Sequence, residues 1–422
     1  MTNWARNITF NAARVHRPSS VERLREIVAG GPSVRALGSG HSFNRIADTD
    51  GDLVSVAELP RTVEVDRAAA TVTVSGGLRF AEFTGAVHDA GLALHNLGSL
   101  PHISVAGACA TGTHGSGVGN GALASAVRAL DIVTADGEIL SLARGDKDFA
   151  GAVVALGAAG IVTRMTLDLV PAYDIRQWVY EGLPYGRLRE RFDDILSAAY
   201  SVSLFTRWRT DLVEQIWLKH RVGDDERATA LAGGLGAEPA DGPRHPVPGM
   251  DPVTCTEQSG VAGPWHERLP HFRPEFTPSN GEELQSEYFV AREDGLAAFD
   301  ALARVRDRIA PVLQIGEIRT VAADEYWLSP AYGRDSVAFH FTWIADTAAV
   351  TPVLGVIEEA LAPFGVRPHW GKLFTMAPER VRALYERSAD FETLLAKLDP
   401  RGTFRNDFIT RYFPGDQAQR GA

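Results

Sequence analysis

Two glycine-rich segments near the amino terminus constrain this chain more than any other feature. The first, Arg35-Ala-Leu-Gly-Ser-Gly-His-Ser-Phe-Asn44, ends a strand-like run in Gly38-Ser39-Gly40 and then presents His41. The second, Ala110-Thr-Gly-Thr-His-Gly-Ser-Gly-Val-Gly-Asn-Gly121, crowds glycines, hydroxyls and an amide together. Small residues let a backbone approach a large ligand, and neighbouring amides cradle phosphate oxygens without added positive charge. Either segment alone also fits an ordinary tight turn. A G-x-G-x-x-G fingerprint would need a third glycine at position 43, where Phe43 stands, and a helix after it. Both are missing, which disfavours the doubly wound dinucleotide fold.

Around these segments the pattern alternates between short helices and strands. Ser19-Ser20-Val21-Glu22 resembles a capping box, and Val21, Leu24, Ile27 and Val28 follow at helical spacing. Strands are predicted at 34–37, 53–56, 62–65 and 71–75, then a helix over 80–90 closing on Gly91. Further strands at 126–134, 138–142 and 161–169 enclose a helix near 147–156. From about Asp174 the strands lengthen and gain aromatics, as in Ser203-Leu-Phe-Thr-Arg-Trp208 and Gln215-Ile-Trp-Leu-Lys219. Residues 221–251, dense in Gly, Pro, Ala and charge, read as a long surface loop.

Composition removes several classes of function. The 422 residues carry a net charge of −11, with no assembled cluster of Lys and Arg, which argues against nucleic acid or an anionic membrane as partner. Cys109 and Cys255 sit in unlike contexts, so no disulfide framework is indicated and a cytoplasmic protein is expected. No apolar leader or bilayer-length run is read, so no membrane association is expected. His266-Glu-Arg-Leu-Pro-His271 places its histidines five apart, where they diverge on a helix that Pro270 would break, so a zinc site is rejected and no metal is expected.

Alternation in the second half points to a polar cavity wall. In Val337-Ala-Phe-His-Phe-Thr-Trp-Ile344 the aromatic side reads as core, leaving His340 and Thr342 together on the other face. Glu317 and Arg319 show the same spacing. A structural ion pair would explain those two, but buried polar groups need partners, and a row of ligand hydroxyls would supply them.

Taken together, RALGSGHSFN, Gly98-Ser-Leu-Pro-His-Ile-Ser-Val-Ala-Gly107 and ATGTHGSG resemble the FAD domain of the vanillyl-alcohol oxidase type of flavoprotein. Trp265-His-Glu-Arg-Leu-Pro-His-Phe-Arg273, Gly316-Glu-Ile-Arg-Thr-Val-Ala-Ala-Asp324 and Arg367-Pro-His-Trp-Gly-Lys372 resemble its alditol oxidase branch. The resemblance implies an α+β, two-domain flavoprotein: an FAD-binding domain over 1–172, a substrate domain over 173–375 with a large antiparallel sheet flanked by helices, and a segment over 376–422 returning to the first domain.

It also implies roles. FAD would be held covalently through His41, with contacts from Gly38, Ser39, Gly40 and Ser42. Ser99, Ser104 and Gly107 would add to these, as would Thr111, Gly112, Thr113 and His114, the last through its backbone. Ile161 and His369 complete the cofactor set, while Cys109 lacks the context of a second covalent link. The implied reaction moves a hydride from the terminal carbon of an alditol such as xylitol or sorbitol to flavin, and dioxygen is reduced to hydrogen peroxide. Lys372 and Arg319 would stabilise the developing alkoxide, with Glu317 and His340 assisting in catalysis. Ser99, Glu317, Arg319, Thr342 and Lys372 would contact substrate. Gly98 would leave a path for dioxygen. An aldonolactone oxidase and a flavin- or sugar-binding protein without turnover are the competing readings, and a monomer is expected.

Overall fold

The computed structural model describes residues 1–224, 236–276 and 282–415, so part of the predicted 221–251 loop and residues 416–422 of the predicted returning segment lie outside the described residues. Near the amino terminus, strands Arg14–His16, Asp52–Ser55 and Val34–Leu37 form a small parallel sheet in that order. Helix Val21–Gly30 packs Leu24 and Val28 against Val34, Val54 and Val56. Its cap is Ser20, whose side chain accepts from the Arg23 amide, one residue later than the predicted box from Ser19 to Glu22. Strand Val34–Leu37 stops where Gly38 begins the first glycine segment.

A five-stranded antiparallel sheet follows, ordered Val63–Asp66, Thr71–Ser75, Ile161–Asp168, Val127–Val133, Ile139–Ala143. Two helices here are shorter than their patterns predict. The stretch over 80–90 divides at Phe83 into a 3-10 turn, Phe80–Glu82, and a helix, Thr84–Asp89. The one near 147–156 covers only Phe149–Val153, because Leu156 and Gly157 turn to positive φ and direct their carbonyls at the Arg35 guanidinium. Arg35 also binds the carbonyls of Ile46 and Phe404, which joins the first strands to the far end of the described chain. Phe404 itself is buried against Val34 and Val56.

The second sheet is antiparallel and, among the described residues, nine-stranded. Its central strands are Leu212–Arg221, Ser201–Thr206, Leu313–Val321, Ser336–Ile344 and Glu283–Ala291 in that order. One face buries Val337, Phe339, Phe341 and Trp343 in the same core as helices Gly295–Arg304 and Thr347–Ala360. Register then decides what meets on the other face: Phe205, Glu317, His340 and Glu287 stand in one row across four strands. The second glycine segment docks on the end of strand Leu313–Val321, with Gly117 N donating to Thr320 O at 3.0 Å and Ala322 N to Asn120 O at 2.9 Å. This contact brings the glycine segments to the polar face of the large sheet.

Candidate active site

Both glycine segments and the polar face of the large sheet line one cavity of about 710 Å³. At the glycine end, backbones approach as closely as the residue types allow. A Cβ on Gly38 would lie 2.5 Å from Ser104 Oγ, and one on Gly107 would lie 2.8 Å from the same atom. Ser39 and Ser104 interlock, each backbone N–H donating to the other's hydroxyl at 3.2 and 3.3 Å. Gly40 has φ of +74°, which turns the chain so that His41 follows on the cavity wall.

His41 is clamped from outside the loop. Trp4 stacks on its ring with centroids 4.8 Å apart, and the Trp4 amide donates to Gly40 O at 2.8 Å. The His41 Nδ1 is buried with no hydrogen-bond partner. Burial, with His102 and Arg79 nearby, pulls its pKa down to about 4, so the ring is neutral near pH 7. The same loop grips the carboxyl-terminal motif: Phe43 N donates to Gly371 O, and Asn44 donates to the carbonyls of Trp370 and Lys372.

At the other end Arg319, Lys372 and His114 gather around Glu287, a residue the sequence reading did not single out. Glu287 is 1% exposed; its Oε1 accepts from Arg319 Nη2 at 2.8 Å and its Oε2 from Lys372 Nζ at 2.7 Å. His114 Nε2 lies 3.1 Å from Oε1, while its Nδ1 is 2.7 Å from Gly115 O. The His114 ring is therefore part of the site, where the sequence reading expected only its backbone to contribute. Burial opposes the charge on Glu287, but Lys372, His114 and Arg319 outweigh it and hold the carboxyl well below its usual range.

The remaining polar groups are ordered by these cations. Lys372 Nζ also donates to His340 Nδ1 at 2.7 Å, which leaves the His340 proton on Nε2, 3.2 Å from Thr342 Oγ1. Burial first, and then Lys372, pull the His340 pKa down to about 3, so the ring stays neutral. Arg319 Nη1 donates to Ser99 Oγ at 3.2 Å. Arg319 Nε has no hydrogen-bond partner and lies 3.6 Å from Glu317 Oε1, so these two residues form an ion pair without a hydrogen bond; Glu317 accepts from His271 Nε2 at 2.9 Å. Burial lowers the Lys372 pKa, with Arg319 adding to the effect and Glu287 opposing it.

Of the predicted cofactor residues, Ser42, Ser99, Thr111, Thr113, Ile161 and His369 all line this cavity, and so does Gly98. Gly112 does not: its Cβ position would be 2.9 Å from Pro330 Cδ, so this glycine serves close packing away from the cavity wall. Cys109 is likewise off the wall, and burial pushes its thiol up to about 12. Gln285 and Glu287 share the period-two spacing that identified His340 and Thr342, and that alternation was the available signal for Glu287.

An alditol oxidase from a Streptomyces species is 53% identical, with 98% of this chain and 99% of that protein aligned. The chain belongs to the alditol oxidase family. Residues 12–143 match an FAD binding domain model, and residues 281–412 match a model described as D-arabinono-1,4-lactone oxidase. More distantly, an L-gulono-1,4-lactone dehydrogenase of Mycobacterium tuberculosis is 30% identical over 97% of this chain and 98% of its own length. A cholesterol oxidase structure from B. sterolicum superposes with a TM-score of 0.78 at 14% identity, covering 98% of this chain and 96% of that one, and so shares the fold.

The alditol oxidase family's flavin fits the residues present. The facing backbones of Gly38 and Gly107 leave a cradle that side chains would fill, and a buried imidazole nitrogen without a partner lies on the same wall. Gly38, Ser39, Ser104, Gly107, Thr111 and Thr113 are placed to hold a dinucleotide through backbone amides and hydroxyls.

Proposed function

We propose that this chain is an FAD-dependent oxidase of alditols, converting a terminal primary hydroxyl to the aldehyde with formation of hydrogen peroxide. The carrying observation is a buried, charge-balanced cluster that still has a donor to spare. Lys372 and Arg319 face Glu287 and Glu317, two cations against two carboxylates, so an uncharged ligand leaves the balance intact. Two of the three Lys372 N–H bonds are committed, which leaves one. A polyol can accept from it and donate to the Glu317 carboxylate.

Bound FAD supplies the hydride acceptor and the centre that dioxygen reoxidises. The protein's part is electrostatic. Lys372 and Arg319 stabilise negative charge developing on the reacting hydroxyl oxygen, and Glu287 holds both cations at fixed positions so that little reorganisation is needed. Burial makes the Lys372 ammonium a stronger acid than that of a free lysine, so its neutral amine form, the one able to take the hydroxyl proton, is more accessible. Ser99 and Thr342 orient further hydroxyls. His41 carries the flavin covalently, its neutral Nδ1 being the nitrogen free to bond. The domain limits 1–172, 173–375 and 376–422, a cytoplasmic location and a monomeric state belong to the same reading.

The lactone oxidase reading is favoured by one observation, the match of residues 281–412 to the arabinonolactone oxidase model. A peroxide assay across xylitol, sorbitol, glycerol and a gulonolactone separates the two: peroxide with the open-chain polyols supports the proposal, and peroxide with the lactone alone replaces it. Yellow colour that no substrate bleaches anaerobically would point to a binding protein. For the covalent bond, acid precipitation should leave the colour in the pellet, and His41→Ala should release it; colour lost from the unmutated protein refutes the linkage.

A further inference from the structure

Behind the cavity wall stands a buried amine that the reaction above does not use. Lys219, on strand Leu212–Arg221, is 1% exposed and does not line the cavity. Its Nζ donates to the carbonyls of Leu269 and Pro270 and lies 3.2 Å from His271 Nδ1. His271 Nε2 in turn lies 2.9 Å from Glu317 Oε1, and both of these residues do line the cavity. The three side chains thus run in a line from the core to the polar wall.

Proton counting links the ends of that line. An ammonium at Lys219 has three N–H donors, and the site offers three acceptors: two carbonyls and the imidazole nitrogen. With the ammonium donating to Nδ1, His271 must carry its proton on Nε2 and donate it to Glu317. A neutral amine has only two N–H bonds, enough for the carbonyls, and turns a lone pair toward Nδ1. Nδ1 is then left without a donor, while Nε2–H keeps its bond to the Glu317 carboxylate, the stronger acceptor. The ring cannot rotate to escape, because Trp217 and Phe205 pack edge-on against it at 5.1 and 5.7 Å.

We propose that Lys219 is a positioning residue for the oxidation: its ammonium donates to Nδ1 and fixes the His271 ring, and that imidazole holds the Glu317 carboxylate in place to accept a substrate hydroxyl. The second half of this statement rests on the polyol reading of the cavity; the first half does not. The ionisable groups that face Lys219 are His271, Glu317, Cys255 and Arg319. Burial dominates and lowers its pKa to about 7, with Glu317 and Cys255 opposing and Arg319 assisting. His271, pulled down to about 4 by burial and by Lys219, stays neutral across this range. The ammonium is therefore present below neutral pH and is lost above it.

The test is nitrogen-15 NMR of histidine-labelled, flavin-loaded protein, with the His271 ring signals identified by their loss in His271→Gln. The Nε2–H tautomer is expected from pH 6 to pH 9, with the Nδ1 signal moving through neutrality as the Lys219 donor is lost. Lys219→Met should show at pH 6 the Nδ1 position that the unmodified protein reaches only at high pH; should that variant not fold, the titration of the unmodified protein decides alone. An Nδ1 signal that does not move between pH 6 and 9, or an imidazolium at pH 6, overturns the link. In anaerobic reduction by xylitol, Lys219→Met should raise the half-saturating concentration about tenfold, the scale of one lost charge-assisted hydrogen bond. It should change the limiting rate less and remove the pH dependence of saturation near neutrality. Saturation unchanged from wild type overturns the positioning role. If no polyol reduces the unmodified protein, the polyol reading falls, while the Nδ1 titration still decides whether Lys219 holds His271.

Discussion

Lys372 derives its chemistry from what surrounds it: an ammonium donating to Glu287 and His340, buried enough to bind its proton less tightly. Replacing it with Met should slow flavin reduction by at least ~100-fold, the scale of losing one donor to a developing oxyanion. Anaerobic stopped flow reads this directly, and a reduction rate equal to wild type would remove Lys372 from the chemistry. Gly98 offers a second single-residue test. A Cβ there would sit 3.6 Å from His114 O and 3.7 Å from Thr113 Cγ2, ordinary contacts, so one extra carbon fits and the γ-methyls of Val must press on the cavity wall. Gly98→Val should slow reoxidation by dioxygen while an artificial acceptor still works; oxygen consumption at the wild-type rate in a folded, flavin-loaded variant places the oxygen path elsewhere. At this scale His340, Thr342, Glu317 and Arg319 were readable because polar residues at alternate positions on apolar strands demand partners. Glu287 has the same spacing relative to Gln285 yet went unread, since nothing local distinguishes a carboxylate at a solvated edge from one at the centre of a sheet.

Strand register turns separate patterns into a site. Glu317 pairs with His340 and His340 with Glu287, so three polar side chains from three strands adjoin on one face. Two residues along, Arg319 is opposite Ala338, and Ala338 is opposite Phe289. The small side chain leaves room for the guanidinium to reach diagonally to Glu287. Ala338→Leu should overfill that space, costing about 1–3 kcal/mol of stability. It should also weaken substrate saturation by displacing Arg319. Chemical denaturation and anaerobic reduction measure the two effects, and a variant with both unchanged would show that Arg319 does not need the gap. The helix patterns were less dependable than the strand patterns. The predicted helix near 147–156 ends at Val153 because two carbonyls beyond it are used by Arg35, a requirement set by residues more than a hundred positions away.

Across the whole molecule, histidines buried in neutral form shape the response to pH. His340 and His271 titrate near 3 and 4 in the folded protein, against about 6.5 in an unfolded chain. Below pH 6.5 the unfolded chain therefore binds protons that these rings refuse, and stability falls as pH falls. At pH 5 each ring costs on the order of 2 kcal/mol by this linkage. Glu287 and Glu317, held below the usual carboxylate range, add to the loss only as pH falls further through about 4.5. Thermal unfolding of the flavin-loaded protein should show Tm dropping between pH 6.5 and 5; a flat Tm across that window would mean that the rings can charge within the fold.

The amino-acid sequence by itself determined which segments are strands, which face of each is polar, and where backbone can lie bare against a ligand, because side-chain alternation and glycine content are local properties of the chain. It also carried the family, through motifs spread from residue 35 to residue 372. Only the tertiary structure decided that Glu287 anchors both Arg319 and Lys372, that the His114 ring joins them, and that Lys219 stands behind Glu317 through His271. Those relations depend on which strands become neighbours and in what register, and that choice is made by burial summed over the entire core and by long-range closures such as Arg35 on the Phe404 carbonyl.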